Sequence, residues 1–337
     1  MSENCPEKNL EDFRYDAKLF KQAYRASLRA KESEEEDKRK KSMRFYLISL
    51  CLALIIFFVL FISNSSLFQK KNYLKMNSTE VSFSYPEDNV EPSDISKQEF
   101  DSEFVDSKSV LYANLNTGEI LYEKNSSEQL YIASLSKLMS AIIALREFEL
   151  SDIVEVKEDW YMNEDIGWSL ELDKGDKVTV ETLLKAMLIS SYNDAAYILA
   201  NHMDGGVDTF VDEMNQYSRT LGLIDTEFNN PSGLDSDGGN LSSARDLYKI
   251  ATIVYRDEFI MDTITKGYED LSWDIGEDRI YTTNSLLGKY GNIAGKTGYT
   301  ENAGQCFLGI TQDGYVTIVL GSNDRFADTE KILLWIQ

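Results

Sequence analysis

The chain has 337 residues, with 34 Lys plus Arg against 57 Asp plus Glu and a net charge of −23. That balance argues against nucleic acid as a partner, because phosphates call for clustered Lys and Arg. His202 is the single histidine, which leaves little room for a Ser-His-Asp triad or a multi-His zinc site. Unless His202 stands in the site, an active-site base is expected to be Lys, Asp, Glu or Tyr.

Three zones precede or make up the folded part. Residues 1–44 are charged throughout, and Glu34, Glu35, Glu36 and Asp37 give way to Lys38, Arg39, Lys40, Lys41 and Arg44. Few apolar residues are on hand to bury such a stretch, so it reads as a cytoplasmic tail. Phe45 to Ile62 follows with 18 uncharged residues. At 1.5 Å per residue that is roughly 27 Å, close to the hydrocarbon thickness of a bilayer, and the run is apolar on every face. Its long lead-in and its Ser63-Asn64-Ser65-Ser66 exit do not resemble a cleavable signal. Residues 45–62 are therefore expected to form a transmembrane helix. The basic cluster before it keeps the N-terminus in the cytoplasm and places the rest outside the cell membrane. Residues 63–107, rich in Ser, Asn, Asp and Glu, read as an extracellular stalk. The three cysteines, Cys5, Cys51 and Cys306, fall on different sides of this layout. No disulfide framework is expected, and Cys306 reads as a small buried hydrophobe.

A folded domain is expected over 108–337. Ser109 to Tyr122 alternates like a hairpin around Asn116-Thr117-Gly118. Ser134 to Phe148 carries Leu135, Leu138, Met139, Ile142, Ile143 and Leu145 at helical spacing. A longer helical pattern from Val180 to Met203 is interrupted by Ser190-Ser191-Tyr192-Asn193. Strands return at Asn292 to Gly298, Gly304 to Thr311 and Tyr315 to Gly321, and Asp328 to Ile336 closes as a helix. Strands at both ends around a helical middle predict an α+β domain, an antiparallel sheet flanked by helices plus an all-helical lobe.

Three short constellations could carry chemistry. In Ser134-Leu135-Ser136-Lys137 the first and last side chains share a helical face, with Cβ atoms about 5–6 Å apart. A serine hydroxyl needs a base to become a nucleophile, and a lysine can serve once burial or a neighbouring cation makes it neutral. The bland alternative is an N-cap serine beside a solvated lysine. Ser191-Tyr192-Asn193 breaks an apolar helical run. It is either a capped helix corner or a hydroxyl and an amide offered to a ligand. Lys296-Thr297-Gly298 lies on a strand, where small neighbours let a ligand backbone approach. A Lys and a Thr hydroxyl there could grip a carboxylate.

Together and in this order the three motifs follow the Ser-x-x-Lys, Ser-Asp-Asn, Lys-Thr-Gly signature, with Tyr192 at the middle position of the second. Ala133-Ser-Leu-Ser-Lys-Leu-Met-Ser140, Ser191-Tyr-Asn-Asp-Ala-Ala196, Phe228-Asn-Asn-Pro-Ser-Gly-Leu-Asp235 and Gly295-Lys-Thr-Gly-Tyr-Thr300 resemble the serine D-alanyl-D-alanine carboxypeptidases. These are the low-molecular-mass penicillin-binding proteins of bacterial cell walls. The resemblance begins near Ser107 and implies a β-lactamase/transpeptidase-like fold. It implies Ser134 as nucleophile, Lys137 as general base and Ser191 as proton carrier. Asn193 would hold the substrate amide, and Lys296, Thr297 and Gly298 would line the clamp for the terminal carboxylate. The backbone N–H groups of Ser134 and Tyr299 would hold the oxyanion. The implied partners are the D-Ala-D-Ala end of a peptidoglycan stem peptide and, as covalent inhibitors, β-lactams. No metal or organic cofactor is implied.

Two departures stand out. The family usually anchors through a C-terminal amphipathic helix, whereas here the N-terminal span is expected to do so. Asn240-Leu241-Ser242-Ser243 stands where the family often has a His before a Ser-Thr pair. A class A β-lactamase is disfavoured because no Glu-x-x-Leu-Asn lies between the second and third motifs. A non-hydrolytic penicillin-binding sensor and a D,D-endopeptidase with the same machinery remain alternatives. His202, past the second motif, reads as a packing residue.

Overall fold

The computed structural model describes residues 105–335, apart from residue 237. The tail, the transmembrane span and the stalk expected from the sequence lie outside the described residues, except that the stalk's last three positions, 105–107, fall inside them. No helix among the described residues is long and apolar enough to cross a membrane.

The domain opens with the expected hairpin, β1 (Ser109–Asn114) and β2 (Ile120–Lys124). The short strand β3 (Leu130–Tyr131) leads into a 3-10 turn at Ala133–Leu135 and then helix α1 (Ser136–Glu147). After β4 (Ile153–Glu155) and β5 (Lys177–Thr179) come α2 (Val180–Ile189) and α3 (Asn193–His202). Next are α4 (Gly206–Thr220), the short strand β6 (Leu241–Ser242), α5 (Ala244–Arg256) and α6 (Glu258–Ile264). A second hairpin, β7 (Tyr268–Trp273) and β8 (Gly276–Tyr281), precedes β9 (Asn292–Thr300), β10 (Gly304–Thr311) and β11 (Tyr315–Ser322). Helix α7 (Arg325–Trp335) closes the described chain.

Five strands form one antiparallel sheet in the order β2-β1-β11-β10-β9. The first and last strands therefore pair inside it, and β9 is left at an edge. One face packs Leu111, Cys306, Leu308, Ile310, Ile318 and Leu320 against the helices. The other packs Val110, Tyr112 and Val319 against Ile332 and Leu333 of α7. Burial of both faces explains why β10 and β11 read as near-continuous apolar runs rather than alternating ones.

The helices start where local chemistry says they should. Thr179 accepts from the Thr182 N–H, Ser243 from Asp246 and Asp257 from Ile260, each satisfying a donor that the first turn leaves open. Helix α1 is buried continuously from Ser136 to Ala144. It is the axis of the helical lobe, with residues of α2, α3 and α4 in the same core. Cys306 is fully buried, in line with its reading as a small hydrophobe. His202 packs its ring against Phe148 at 4.9 Å, as a packing residue should.

The chain entering β1 is tied to α7 through one carboxylate. Asp328 Oδ2 accepts from the Ser107 N–H at 3.0 Å, the Ser107 hydroxyl at 2.5 Å and the Ser322 hydroxyl at 2.7 Å, and Oδ1 accepts from the Asp106 N–H at 3.2 Å. Removing the acceptor strands buried donors, so Asp328→Ala is expected to cost about 2–3 kcal/mol. A lower urea midpoint at unchanged slope would show this, and an unmoved midpoint would contradict it.

Candidate active site

Ser134 lies on the 3-10 turn rather than on the helix proper, which begins two residues later at Ser136. The turn is tight because Ala133 sits at φ 47°, a conformation that costs a non-glycine residue energy. Two glycines make room for it. A Cβ on Gly233 would stand 1.9 Å from the Ala133 carbonyl oxygen, and one on Gly298 would stand 2.9 Å from the Ile132 carbonyl oxygen and 3.1 Å from the Ser134 nitrogen. The Ser134 turn is thus wedged between the backbones of the 228–235 loop and β9.

Lys137, one turn along, is fully buried. Its Nζ lies 2.8 Å from Ser134 Oγ, 2.6 Å from Asn193 Oδ1 and 2.8 Å from the Ser232 carbonyl oxygen. The Asn193 amide is oriented by its Nδ2, which donates to the Ile166 carbonyl at 2.7 Å. The Ser232 carbonyl is presented by a loop braced internally. Asn230 Oδ1 accepts from the N–H groups of Ser232 and Gly233. Asn240 Oδ1 accepts from those of Asn229 and Asn230. Asn240, the position that departs from the family pattern, therefore buttresses this loop.

The second motif is the corner between α2 and α3. Ser191 turns it at φ 63°. Ser190 Oγ donates to the Tyr281 carbonyl at 2.8 Å, fastening the corner to β8. Asp194, buried at the start of α3, accepts from the N–H groups of Leu170 and Glu171 at 2.9 Å and of Ala195 at 2.8 Å. This draws the 163–172 segment onto the helix. Trp168 completes the corner by stacking on Tyr192 and donating its indole N–H to the Ser190 carbonyl.

The third motif lies on edge strand β9 and is buried throughout. Lys296 is fully buried and donates to Ser191 Oγ at 2.7 Å and to the Thr297 carbonyl at 2.9 Å. The Thr297 and Thr283 hydroxyls are 2.6 Å apart. Tyr299 projects outward and is 63% exposed. Arg325 comes from the first residue of α7 and donates to the carbonyls of Gly298 and Cys306. Its Nε is buried with no partner among the described residues.

Electrostatics follow from this crowding. Burial holds Lys137 well below the usual lysine range, the nearby Lys296 pushes it further down, and Asp194 partly offsets both. Lys296 is pushed down to about 7, first by burial and then by Arg325. Burial raises Asp194 to about 6 against the pull of its backbone hydrogen bonds. A neutral amine at Lys137 has two hydrogens and one lone pair. The Asn193 and Ser232 oxygens can only accept, so they take the hydrogens and the lone pair faces the Ser134 hydroxyl.

Ser134, Lys137, Ser191, Asn193, Lys296 and Thr297 are thus gathered into one cleft, with Gly298 at its back and Tyr299 at its mouth. Asn193 spends its oxygen on Lys137 and one amide hydrogen on Ile166, so its second amide hydrogen is what it can offer a ligand. Sequence reasoning missed Ser232, Thr283, Asp194 and Arg325. Asp194 and Ser232 lie inside the family-like segments but drew no role of their own, and Arg325 carried a separate signal, since a cation at a helix N-terminus opposes the macrodipole and such a breach of a local rule often marks function. Among the described residues no group of His, Cys, Asp and Glu is arranged to hold a metal ion.

The sheet, the helical lobe and the three-motif cleft between them define a penicillin-binding, transpeptidase-like fold. Solved structures agree. The chain superposes on a D-alanyl-D-alanine carboxypeptidase of Mycobacterium tuberculosis with a TM-score of 0.62 at 29% identity, covering 68% of this chain and 90% of that one. It superposes on a penicillin-binding protein of Listeria monocytogenes in its ampicillin-bound form with a TM-score of 0.58 at 30% identity, covering 68% and 97%. Residues 96–323 match the D-alanyl-D-alanine carboxypeptidase family of S11 peptidases, and the chain belongs to that family. It is 32% identical over 242 residues to the D-alanyl-D-alanine carboxypeptidase DacF of Bacillus subtilis, covering 68% of this chain and 61% of that relative's length.

Asp194→Ala leaves three N–H groups without their acceptor and is expected to lower stability by about 2–3 kcal/mol. Amide exchange at Leu170 and Glu171 should quicken in step. Exchange unchanged at these two positions would show that the segment is held by other means.

Proposed function

We propose that the protein is a serine D-alanyl-D-alanine carboxypeptidase, anchored in the cell membrane by residues 45–62 with its catalytic domain outside. It removes the terminal D-alanine from peptidoglycan stem peptides through an acyl-enzyme on Ser134. The observation that carries the reading is the set of three contacts around Lys137, which leaves a neutral amine only one direction for its lone pair, toward Ser134 Oγ.

In this reading Lys137 Nζ takes the Ser134 proton as Oγ attacks the carbonyl carbon between the two D-alanines. The developing oxyanion lies between the N–H groups of Ser134 and Tyr299. The contact of Gly298 with the Ser134 nitrogen supports this, since it brings the two backbones together. The proton that Lys137 took passes by way of the Ser191 hydroxyl, held by Lys296, to the departing amine as the C–N bond breaks, which leaves Ser191 protonated and Lys137 neutral again as the base for the water step. Lys296 and Thr297 bind the free carboxylate of the terminal D-alanine, with Arg325 adding positive charge behind Gly298. Asn193 donates its remaining amide hydrogen to the substrate. Water then attacks the ester, releasing the shortened peptide and restoring the Ser134 hydroxyl. A β-lactam acylates the same serine, as the ampicillin-bound Listeria relative leads one to expect.

The test is D-alanine release from a pentapeptide stem by the full chain beside Ser134→Ala. Release should fall to background in the variant, together with labelling by a fluorescent penicillin. Equal release from both proteins would sink the assignment. Labelling of the parent without release would favour the non-hydrolytic sensor.

The electrostatics give a second expectation. The base must be neutral, so acylation rises with pH through the depressed pKa of Lys137. Lys296→Met removes a neighbouring cation that helps keep Lys137 deprotonated. The acidic limb of the acylation profile should therefore move to higher pH in this variant, whatever the loss in its plateau. A limb that stays put, or moves to lower pH, would contradict the coupling.

A further inference from the structure

The segment between β8 and β9 is fastened to both sides of the cleft. Tyr281, at the end of β8, donates its N–H to Ser190 Oγ at 3.1 Å and accepts from the same hydroxyl at its carbonyl. Two residues on, the Thr283 N–H donates at 3.3 Å to the carbonyl of Ile189, the last residue of α2. Asn284, which is buried, ties the segment to the start of β9, its Nδ2 donating to Asn292 Oδ1 at 2.8 Å. Thr283 thus stands between the corner that carries Ser191 and the strand that carries Lys296 and Thr297, held from both sides.

Its hydroxyl lies 2.6 Å from that of Thr297, and neither hydroxyl has another hydrogen-bond partner among the described residues. Thr297 is buried, whereas Thr283 is exposed. Two hydroxyls at this distance share one hydrogen, so one donates and the other accepts. The two arrangements are not equivalent for a ligand. If Thr297 donates to Thr283, it has only lone pairs left to offer, and these repel a carboxylate, which can only accept. If Thr283 donates, the Thr297 hydrogen is free for the carboxylate. Water reaches the exposed Thr283 oxygen and donates to it. The chain from water through Thr283 to Thr297 then runs in one direction, and each bond strengthens the next. Its last link, to an ionised carboxylate, is the charge-assisted one.

We propose that Thr283 is a positioning residue for the clamp: its hydroxyl donates to Thr297 Oγ1 and so aims the Thr297 hydrogen at the free end of the substrate. The inference rests on the carboxypeptidase reading and adds to its clamp a residue that lies outside all three motifs. A carboxamide in place of the carboxylate carries both a donor and an acceptor and is served by either orientation of the pair. Thr283 therefore favours the ionised end over a neutral one.

The experiment measures D-alanine release from a pentapeptide stem by the full chain beside Thr283→Val and Thr283→Ser. Valine should raise KM about fivefold with little change in kcat, and serine, which keeps the hydroxyl, should restore the parent KM. A second arm measures binding of the same peptide and of its C-terminal amide to full chains that carry Ser134→Ala, where no turnover intervenes. Adding Thr283→Val should weaken the free acid about fivefold and leave the amide unchanged. An unmoved KM, an equal loss for acid and amide, or a serine variant that behaves like valine would overturn the inference. If the parent releases no D-alanine, the carboxypeptidase reading fails by itself. The binding arm then decides Thr283 alone: a loss confined to the acid supports the role, and its absence overturns it.

Discussion

Two lysines sealed from water within one cleft are the constraint around which the domain is built. An isolated ammonium buried in protein carries a penalty of several kcal/mol, and two near each other repel as well. The fold resolves this by letting both amines approach neutrality and by surrounding each with oxygens. Lys137 has three oxygen neighbours drawn from three places in the chain, at Ser134, Asn193 and Ser232. The two that accept from it, on Asn193 and Ser232, are fixed by bonds within their own segments. A loose acceptor would let the amine keep its proton or turn away from the serine.

Holding three distant segments in such register requires close backbone contact, and strain collects where they meet. Ala133 and Ser191 both adopt positive φ without being glycine. Gly233 and Gly298 are positions where any Cβ would collide with the Ser134 turn. Strain of this kind costs of order 1–3 kcal/mol per residue and persists only where the surroundings overdetermine it. Here the surroundings are a helix buried continuously over Ser136–Ala144 and a sheet apolar on both faces. The large core stabilises a site that would not hold its shape alone.

The catalytic half of this arrangement was legible in the sequence because its signals are local. The β1–β2 hairpin, the α2–α3 corner and the three closing strands fall where alternation, polar interruption and turn residues put them. The three motifs fall on a helix entrance, a corner and an edge strand. What was not legible depends on contacts across the chain. The helix begins at Ser136 rather than Ser134 because Ala133 is turned by backbones 100 and 165 positions away, at Gly233 and Gly298. The Ser232 contribution is a main-chain carbonyl, which no side-chain pattern announces. Thr283 and Asp194 act through partners far along the chain. The β7–β8 hairpin, with its mostly polar and exposed residues, gave too little hydrophobic alternation to stand out. Helices α4 and α5 are amphipathic, but no motif drew attention to them.

The two lysines also show how one residue type takes two roles. Lys137 faces oxygens of which only the Ser134 hydroxyl can donate, so once neutral it can act only as a base toward that hydroxyl. Lys296 faces another serine hydroxyl and a carbonyl, with the Arg325 guanidinium close enough to lower its pKa. With a pKa of about 7, Lys296 changes charge easily near neutrality. In the proposed reading an arriving carboxylate favours the protonated form, so binding of the substrate's free end would draw a proton onto Lys296. The added charge beside Lys137 then disfavours protonation there. On that reading, recognition of the chain end and activation of the nucleophile would be coupled through the electrostatic contact between the two lysines.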